Sequence, residues 1–319
     1  MSNETTPDGD GPSTAPDSAL QDPDVVVVGG GPAGASAAVF TARYGLETIV
    51  FDRGTAALPR CAYLENYPGF PAGIPVADFR SLLAAHVDEA GGTRREERVE
   101  SVARTDDGAF RVATDEGTTV ETPAVVAAAW YDGSYLRDLE EPSMFTTDDH
   151  HGETIERFDP DYADADGRTP LEGLYVASPA GARSAQAVVA AGNGAHVARS
   201  LIEDRRREEG FAGDVAPEFD WLRSTGEFSG EWADRDRWRE YAENELPEDL
   251  PADRRAELRD RAVDRAFDTR VSDSEAAARA DHGRERLLDV LGHDAVLDAI
   301  PEEKIRAYLD SEQTVESDR

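Results

Sequence analysis

The sequence predicts an α/β fold followed by an α-helical C-terminal part, on three observations. An apolar strand runs into a glycine turn and then a row of small residues, VVVVGGGPAGASAAV (Val25–Val39). A second apolar strand, ETIVFD (Glu47–Asp52), follows, so the unit reads β-α-β. From about Phe211 onward the apolar residues take helical spacing instead.

Each element has a local reason. Asp24–Val28 is rich in β-branched residues and uninterrupted, the pattern of a strand buried on both faces. Ala33–Tyr44 is built of good helix formers and stops at Gly45. Val76–Ala90 reads as a helix with Leu82, Leu83 and Val87 on one face. Arg98–Arg104, Ala109–Thr114 and Thr118–Glu121 are strands separated by DDG and DEG turns, a β-meander. Pro123–Ala129 and Leu174–Ala177 are further short apolar strands, and Ser184–Arg207 is a long helix that starts apolar and ends charged. Residues 131–172 are polar and poorly periodic. In the C-terminal part, Arg254–Phe267 places Leu258, Ala262 and Ala266 on one helical face. Ser272 and Glu275 form a capping box, and Pro301 opens a last short helix with Ile305, Tyr308 and Leu309 facing inward. The domain reading is therefore an acidic disordered tail at 1–22, a nucleotide-binding domain at 23–207, a helical appendage at 211–313 and a tail at 314–319.

Composition narrows the function. The 319 residues carry 67 acids against 33 bases, a net charge of -34. Such a chain repels phosphate backbones and anionic lipid, so neither nucleic acid nor a membrane is an expected partner. Excess carboxylate with a single lysine, Lys304, is the expected signature of a halophilic protein, soluble where salt screens charge within a few ångströms. The N-terminus lacks the basic and apolar regions of a signal peptide, and no window approaches a membrane span, so the cytoplasm is the expected location. With one cysteine, Cys61, the chain has no Cys-x-x-Cys pair and no cysteine zinc site.

Gly29-x-Gly31-x-x-Gly34 sits where a dinucleotide cradle requires it, after a strand and opening a helix. The glycines allow a tight turn, approach of a pyrophosphate to the backbone and close helix packing. Amides at the helix start face the phosphates. Asp52, at the end of the next strand, is placed to accept from a ribose hydroxyl.

Three ordered stretches then carry a family resemblance. GGGPAG followed by small residues resembles the FAD-binding domain of flavoproteins with two dinucleotide-binding domains. LENYPGFPAGIPVADFRSLLAAHVDEAGG (Leu64–Gly92) resembles thioredoxin reductases, and GLYVASPAGARSAQAVVAAGNGAHVA (Gly173–Ala198) resembles their final flavin-binding segment. The resemblance covers roughly residues 24–130 and 173–205. It implies a three-layer FAD-binding Rossmann-like domain with a β-meander. It puts Gly29, Gly31, Pro32, Ala33, Gly34, Asp52 and Arg53 around the adenosine and pyrophosphate of FAD. It puts Val99 near the adenine, and Asn66, Ala128 and Gln186 nearer the flavin.

The departures from the family are as informative. That family, of the pyridine nucleotide-disulfide oxidoreductase superfamily, carries an NADPH domain with a Cys-x-x-Cys where this chain has only 131–172. Its Ala-Thr-Gly becomes Ala128-Ala129-Trp130, its final Gly-Asp becomes Ser178-Pro179, and ALPRCAY replaces its Gly-Gly-Gln-Leu. The expected protein is the FAD half of such a reductase, an FAD-dependent oxidoreductase that exchanges electrons with a small molecule or a protein, with homodimer formation left open. Two alternatives stand beside it: a non-catalytic FAD- or nucleotide-binding protein acting through a partner, and NAD in the cradle.

Other residues carry paired readings. Cys61, with Arg60 beside it to favour a thiolate, is a redox thiol or a small packed residue. Asp148-Asp149-His150-His151 is a metal cluster or, as expected, a solvated acidic loop; no metal is expected. His196 faces the cofactor or is a satisfied core histidine. Trp130-Tyr131 stacks on a ring or packs in the core. Trp221, Trp232 and Trp238 form a partner surface or the core of a small domain.

Overall fold

A computed structural model describes residues 22–54, 57–129, 133–150, 153–225 and 230–317. Along the chain, Val25–Val28 forms β1, Pro32–Tyr44 α1 and Thr48–Phe51 β2. Val76–Glu89 forms α2, and Thr93–Arg95 β3. The meander is β4 (Val99–Arg104), β5 (Phe110–Thr114) and β6 (Thr119–Thr122). Ala124–Ala127 is β7, Phe145–His150 and Glu153–Phe158 pair as the hairpin β8–β9, Leu174–Val176 is β10, and Ala187–Glu209 is α3. The C-terminal part holds β11 (Arg223–Ser224), α4 (Arg235–Glu245), α5 (Ala252–Asp268), β12 (Arg270–Val271), α6 (Asp273–Leu291), α7 (His293–Ala299) and α8 (Glu302–Ser317).

Five strands make one parallel sheet in the order β10-β7-β1-β2-β3. The four valines of β1 are buried on both faces, and the strand period of two divides them between two cores. Val26 and Val28 pack with Val102, Phe110 and Val112 of the meander. Val25 and Val27 pack with Ala37 and Ala38 of α1 and with Val197 and Leu201 of α3. The result is three layers: meander, sheet, helices. Each fully buried valine contributes about 1.5–3 kcal/mol, so this four-residue strand is a major anchor of the fold.

The fold is α/β with a helical C-terminal region, as the sequence predicts, and the differences have local causes. The polar edge strand β3 (TRR) carries no apolar signal; charged residues are what edge strands tolerate. The helix expected from Ser184 begins at Ala187, because Gly181–Ser184 closes as a 3-10 turn with Ser184 Oγ accepting from the Ala180 amide at 2.8 Å. Within the polar stretch 131–172, Asp148, Asp149 and His150 lie in strand β8 rather than in a loop. Period-two patterning is weak there because Ile155 of the partner strand is itself 43% exposed. Trp130, Tyr131 and His151 lie outside the described residues, as do residues 1–21 of the acidic tail. Among the described residues no helix is long and apolar enough to cross a membrane.

The C-terminal helices have their own core of Phe211, Val215, Ala216, Ala242, Leu246, Leu258 and Val263. Trp238 joins it, edge-on to Trp232 at 5.2 Å and to Phe267 at 6.5 Å. Trp221 does not; it is 66% exposed, so the three tryptophans are not one core. The Ser272–Glu275 capping box forms. The last helix is not short, running to Ser317, past the expected boundary at 313. Its Tyr308 and Leu309 face outward, 63% and 53% exposed, because the described residues put no core beneath that stripe. Charged contacts fasten this region to the sheet domain. Arg43 of α1 donates to both oxygens of Asp220 at 2.5 and 2.8 Å, a bidentate bond that holds the Asp220 carboxyl below its usual range. Arg206 of α3 donates to the carbonyls of Ala216 (2.8 Å) and Val215 (2.7 Å).

Candidate functional site

The C-terminal ends of β1, β2 and β7 open onto a cavity of about 700 Å³. A crevice outside the carboxyl ends of parallel strands is where this architecture binds ligands. The glycine turn forms its floor. Gly29 has φ +105°, a left-handed value that favours glycine, and its amide donates to Phe51 O at 2.8 Å, tying the turn to β2. At Gly30 a Cβ would lie 2.7 Å from both the Cβ and Oδ2 of Asp52. The turn therefore presses directly on the acid that ends β2. Asp52 is fixed from two more sides: its amide donates to Arg95 O at 2.9 Å, and its Oδ1 accepts the Gly54 amide at 3.0 Å. Its Oδ2 lies on the cradle side, toward Gly30.

The opposite end is assembled from elements far apart in sequence. Asn66 Nδ2 donates to Gln186 Oε1 at 2.8 Å, joining the ENYPGF loop to the start of α3. The loop is held by a small apolar cluster of Leu58, Leu64, Ile74 and Phe79, against which Ala187 packs. Tyr67 and Phe70 pack on Phe79 in tilted and edge-on geometry, and burial pushes the Tyr67 hydroxyl above its usual range. Ser178 and Ser184 also line the cavity, hydroxyl to hydroxyl at 3.2 Å. Asn193 anchors α3 to the end of β10 by donating to Ala177 O at 2.7 Å.

Of the residues singled out in the sequence, Gly29, Gly31, Pro32, Ala33, Asp52, Arg53, Cys61, Asn66, Val99, Ala128 and Gln186 all line this one cavity. Gly34 does not; its Cβ would lie 1.7 Å from Gly29 O, so it serves packing beneath the turn. Cys61 is exposed rather than packed. His196 is neither in the cavity nor in a core. It is exposed on α3, with Nε2 2.8 Å from Asp166 Oδ1, because its helical position faces the 159–171 segment rather than the sheet. Gly30, Gly194 and Asn193 were not picked out by sequence. The middle glycine of GGG and the small-residue run AAGNGA were the signals available.

The donor set can be tested against a dinucleotide. Helices leave their first amides without intrahelical partners. Neither α1, capped by Gly31, nor α3, capped by Gln186, has a side-chain hydrogen bond over its first turn. Both N-termini open onto the same cavity, so two sets of orphan donors and two positive helix ends face one ligand. A pyrophosphate fits the α1 end beside Arg53, a ribose hydroxyl fits Asp52, and a flat heterocycle with ring carbonyls fits Asn66, Gln186 and the α3 amides. FAD fits the residues present.

Gly30→Ala tests the turn-to-acid contact. The methyl would displace the Asp52 carboxylate, a hydrogen bond to a charged group worth about 1.5–3 kcal/mol. FAD affinity is expected to fall by roughly ten- to a hundredfold with an unchanged circular dichroism spectrum. Equal affinity in a fluorescence titration would remove Asp52 from the site.

Comparison with known proteins agrees with this geometry. Residues 23–129 match the family described as pyridine nucleotide-disulphide oxidoreductase. The bifunctional thioredoxin reductase/thioredoxin of Mycobacterium leprae is 37% identical over 123 residues, covering 37% of this chain and 26% of that protein. An alkyl hydroperoxide reductase subunit from Staphylococcus aureus is 36% identical over 121 residues, 37% of this chain and 23% of that one. The chain thus spans about a quarter of the length of these relatives. Among solved structures, a thioredoxin reductase from Gloeobacter violaceus superposes with a TM-score of 0.47 at 19% identity, over 63% of this chain and 98% of that one. Residues 23–129 are thus similar to a domain of the pyridine nucleotide-disulphide oxidoreductase family, and FAD is the cofactor of such a cradle.

Proposed function

We propose that the protein is an FAD-dependent oxidoreductase, with a flavin-binding part at residues 23–207, a helical appendage at 211–313, and electrons exchanged with a separate molecule. The observation that carries this reading is the pair of uncapped helix N-termini, α1 and α3, opening onto one cavity closed by the Asn66–Gln186 bond. When bound, FAD supplies the hydride or electron chemistry. The chain's own part is to bind, orient and desolvate. The α1 amides and Arg53 take the pyrophosphate charge, and Asp52 fixes the ribose. Asn66 and Gln186 hold each other at 2.8 Å, so their remaining polar groups meet the ring edge already oriented. Between β7 and β10 this chain has the hairpin β8–β9 instead of a second nucleotide domain, so the reductant arrives from outside.

A second reading, a flavin-binding protein without turnover, is favoured by one feature. Ser178-Pro179 stands where the family resemblance implies Gly-Asp, so Pro179 takes the place of the carboxylate. The two readings part on one experiment. The purified protein is expected to be yellow, to release FAD on denaturation, and to lose its visible flavin bands when a competent reductant is added without air. Flavin that no reductant bleaches would support the second reading, and a colourless protein that fails to take up added FAD would sink both.

A further inference from the structure

Most arginines among the described residues are spoken for. With 67 acids to 33 bases, a guanidinium has an acid within reach almost anywhere. Arg43 holds Asp220, Arg168 holds Asp204, Arg261 holds Glu209 and Arg265 holds Glu218. Among the described residues, the side chains of Arg53, Arg60 and Arg98 hold neither an acid nor a carbonyl, and all three line the flavin cavity. Its acids do not neutralise them. Asp52 is bonded to the Gly54 amide, Glu97 accepts from Thr114 at 2.6 Å, and Glu65 makes no ion pair with any of the three. Arg80, Arg95 and Arg279 hold no acid either, but none of them lines the cavity; three such groups together on one cavity, with no lining acid bonded to them, make a positive site suited to an anionic ligand.

Two of the three are accounted for by FAD. Arg53 follows Asp52 and Arg98 precedes Val99, both at the adenosine end. Arg60 is surplus. It ends a 3-10 turn, Leu58–Arg60, whose Leu58 is buried in the cluster with Leu64, Ile74 and Phe79, against which Ala187 packs. That cluster anchors the Asn66–Gln186 end, so Arg60 belongs to the flavin end. Two other lining groups accompany it: Cys61, and Tyr63, 45% exposed. The Tyr63 ring lies on Gly73, where a Cβ would come within 2.5 Å of Cε1, so the glycine makes room for the ring at this opening. A cation and an aromatic ring share one mouth.

We propose that Arg60 is the anchor for an acid group on the small molecule that exchanges electrons with the flavin, making this substrate a carboxylate- or phosphate-bearing compound rather than a neutral one. The inference rests on the oxidoreductase reading above. A long exposed arginine, on a turn tethered by the buried Leu58, holds its planar fork toward an incoming oxyanion and leaves the reacting part of that molecule over the cavity. With a net charge of -34 the chain repels anions in general, so a positive opening also selects them.

The probes are benzoate and its neutral isostere benzamide, titrated calorimetrically into the flavin-loaded protein at fixed ionic strength. Benzoate is expected to bind at least about tenfold more tightly than benzamide. Arg60→Gln should abolish that preference and Arg60→Lys should retain most of it. Arg279→Gln, which removes the same charge from the exposed face of α6, should change nothing. Equal binding of the two probes to the native protein overturns the proposal. So does an undiminished preference in Arg60→Gln, or an equal loss in Arg279→Gln, which would reduce the effect to the overall field. The visible spectrum of the same sample reads the flavin independently. A flavin-free protein that still prefers benzoate through Arg60 would sink the oxidoreductase reading and the electron-exchange role while leaving the anion site standing.

Discussion

Gly34→Ala is expected to lower stability by about 3 kcal/mol or more and to strip the protein of FAD. Two effects oppose each other at this position. Alanine in place of glycine inside α1 would by itself favour the helix by about 1 kcal/mol. Against that, the new methyl would sit 1.7 Å from the carbonyl oxygen of Gly29 and 3.2 Å from the Ala128 side chain. The nearest atom belongs to backbone held by the Gly29 amide bond to Phe51, so it cannot swing aside. Either α1 lifts from the sheet or the turn opens, and each separates the α1 amides from the position the pyrophosphate takes. The loss on this side exceeds the propensity gain. Thermal unfolding of the variant and the ratio of flavin to protein absorbance after gel filtration measure the two consequences. Native flavin content would show that the turn has slack that the packing does not suggest. The same reasoning applies where α3 crosses α1, because a Cβ on Gly194 would lie 1.9 Å from Ala33 O.

Arg206→Met is expected to destabilise the protein by about 3–5 kcal/mol. The Arg206 side chain is 7% exposed and lies 3.6 Å from Glu218, itself 9% exposed. Methionine keeps much of the volume against Phe211, over whose ring the guanidinium now lies at 4.1 Å. It cannot replace the donors to Ala216 O and Val215 O, and each buried carbonyl left unsatisfied costs about 1–3 kcal/mol. Glu218 would keep only Arg265, at 2.8 Å. Because Arg206 joins α3 to the segment entering the helical region, tryptophan fluorescence should report the change in urea unfolding. A shift in midpoint with an unchanged slope is expected; a loss below about 1 kcal/mol would mean that water replaces the guanidinium without difficulty.

Much of this was legible in the sequence where signal is local. A run of four valines, a glycine turn and a terminal acid need only neighbouring residues to be read, and β1, α1 and β2 lie where their patterning put them. The meander was legible for the same reason, since DDG and DEG turns punctuate alternating strands. The Asn66–Gln186 bond was not. Its two residues are 120 positions apart, and nothing in either segment says that they meet. The inward stripe expected on α8 failed for the converse reason: amphipathic spacing says that a helix has an apolar side, not that a core lies opposite it. His196 failed similarly, since a polar residue in an apolar helix can face either a core or an acid, and Asp166 decided it.

By itself the sequence determined the α/β class, the cradle with Asp52, the acidic character and the single thiol, because these depend on residue type and short spacing. Only the tertiary structure decided which orphan groups face one another. It brought the uncapped starts of α1 and α3 to one cavity, set Gly30 against Asp52, and left Arg53, Arg60 and Arg98 in the lining of that cavity without an acid or carbonyl partner. Hydrogen bonds and charges are satisfied in space rather than along the chain, so what remains unsatisfied, and therefore available to a ligand, appears only when the chain has folded.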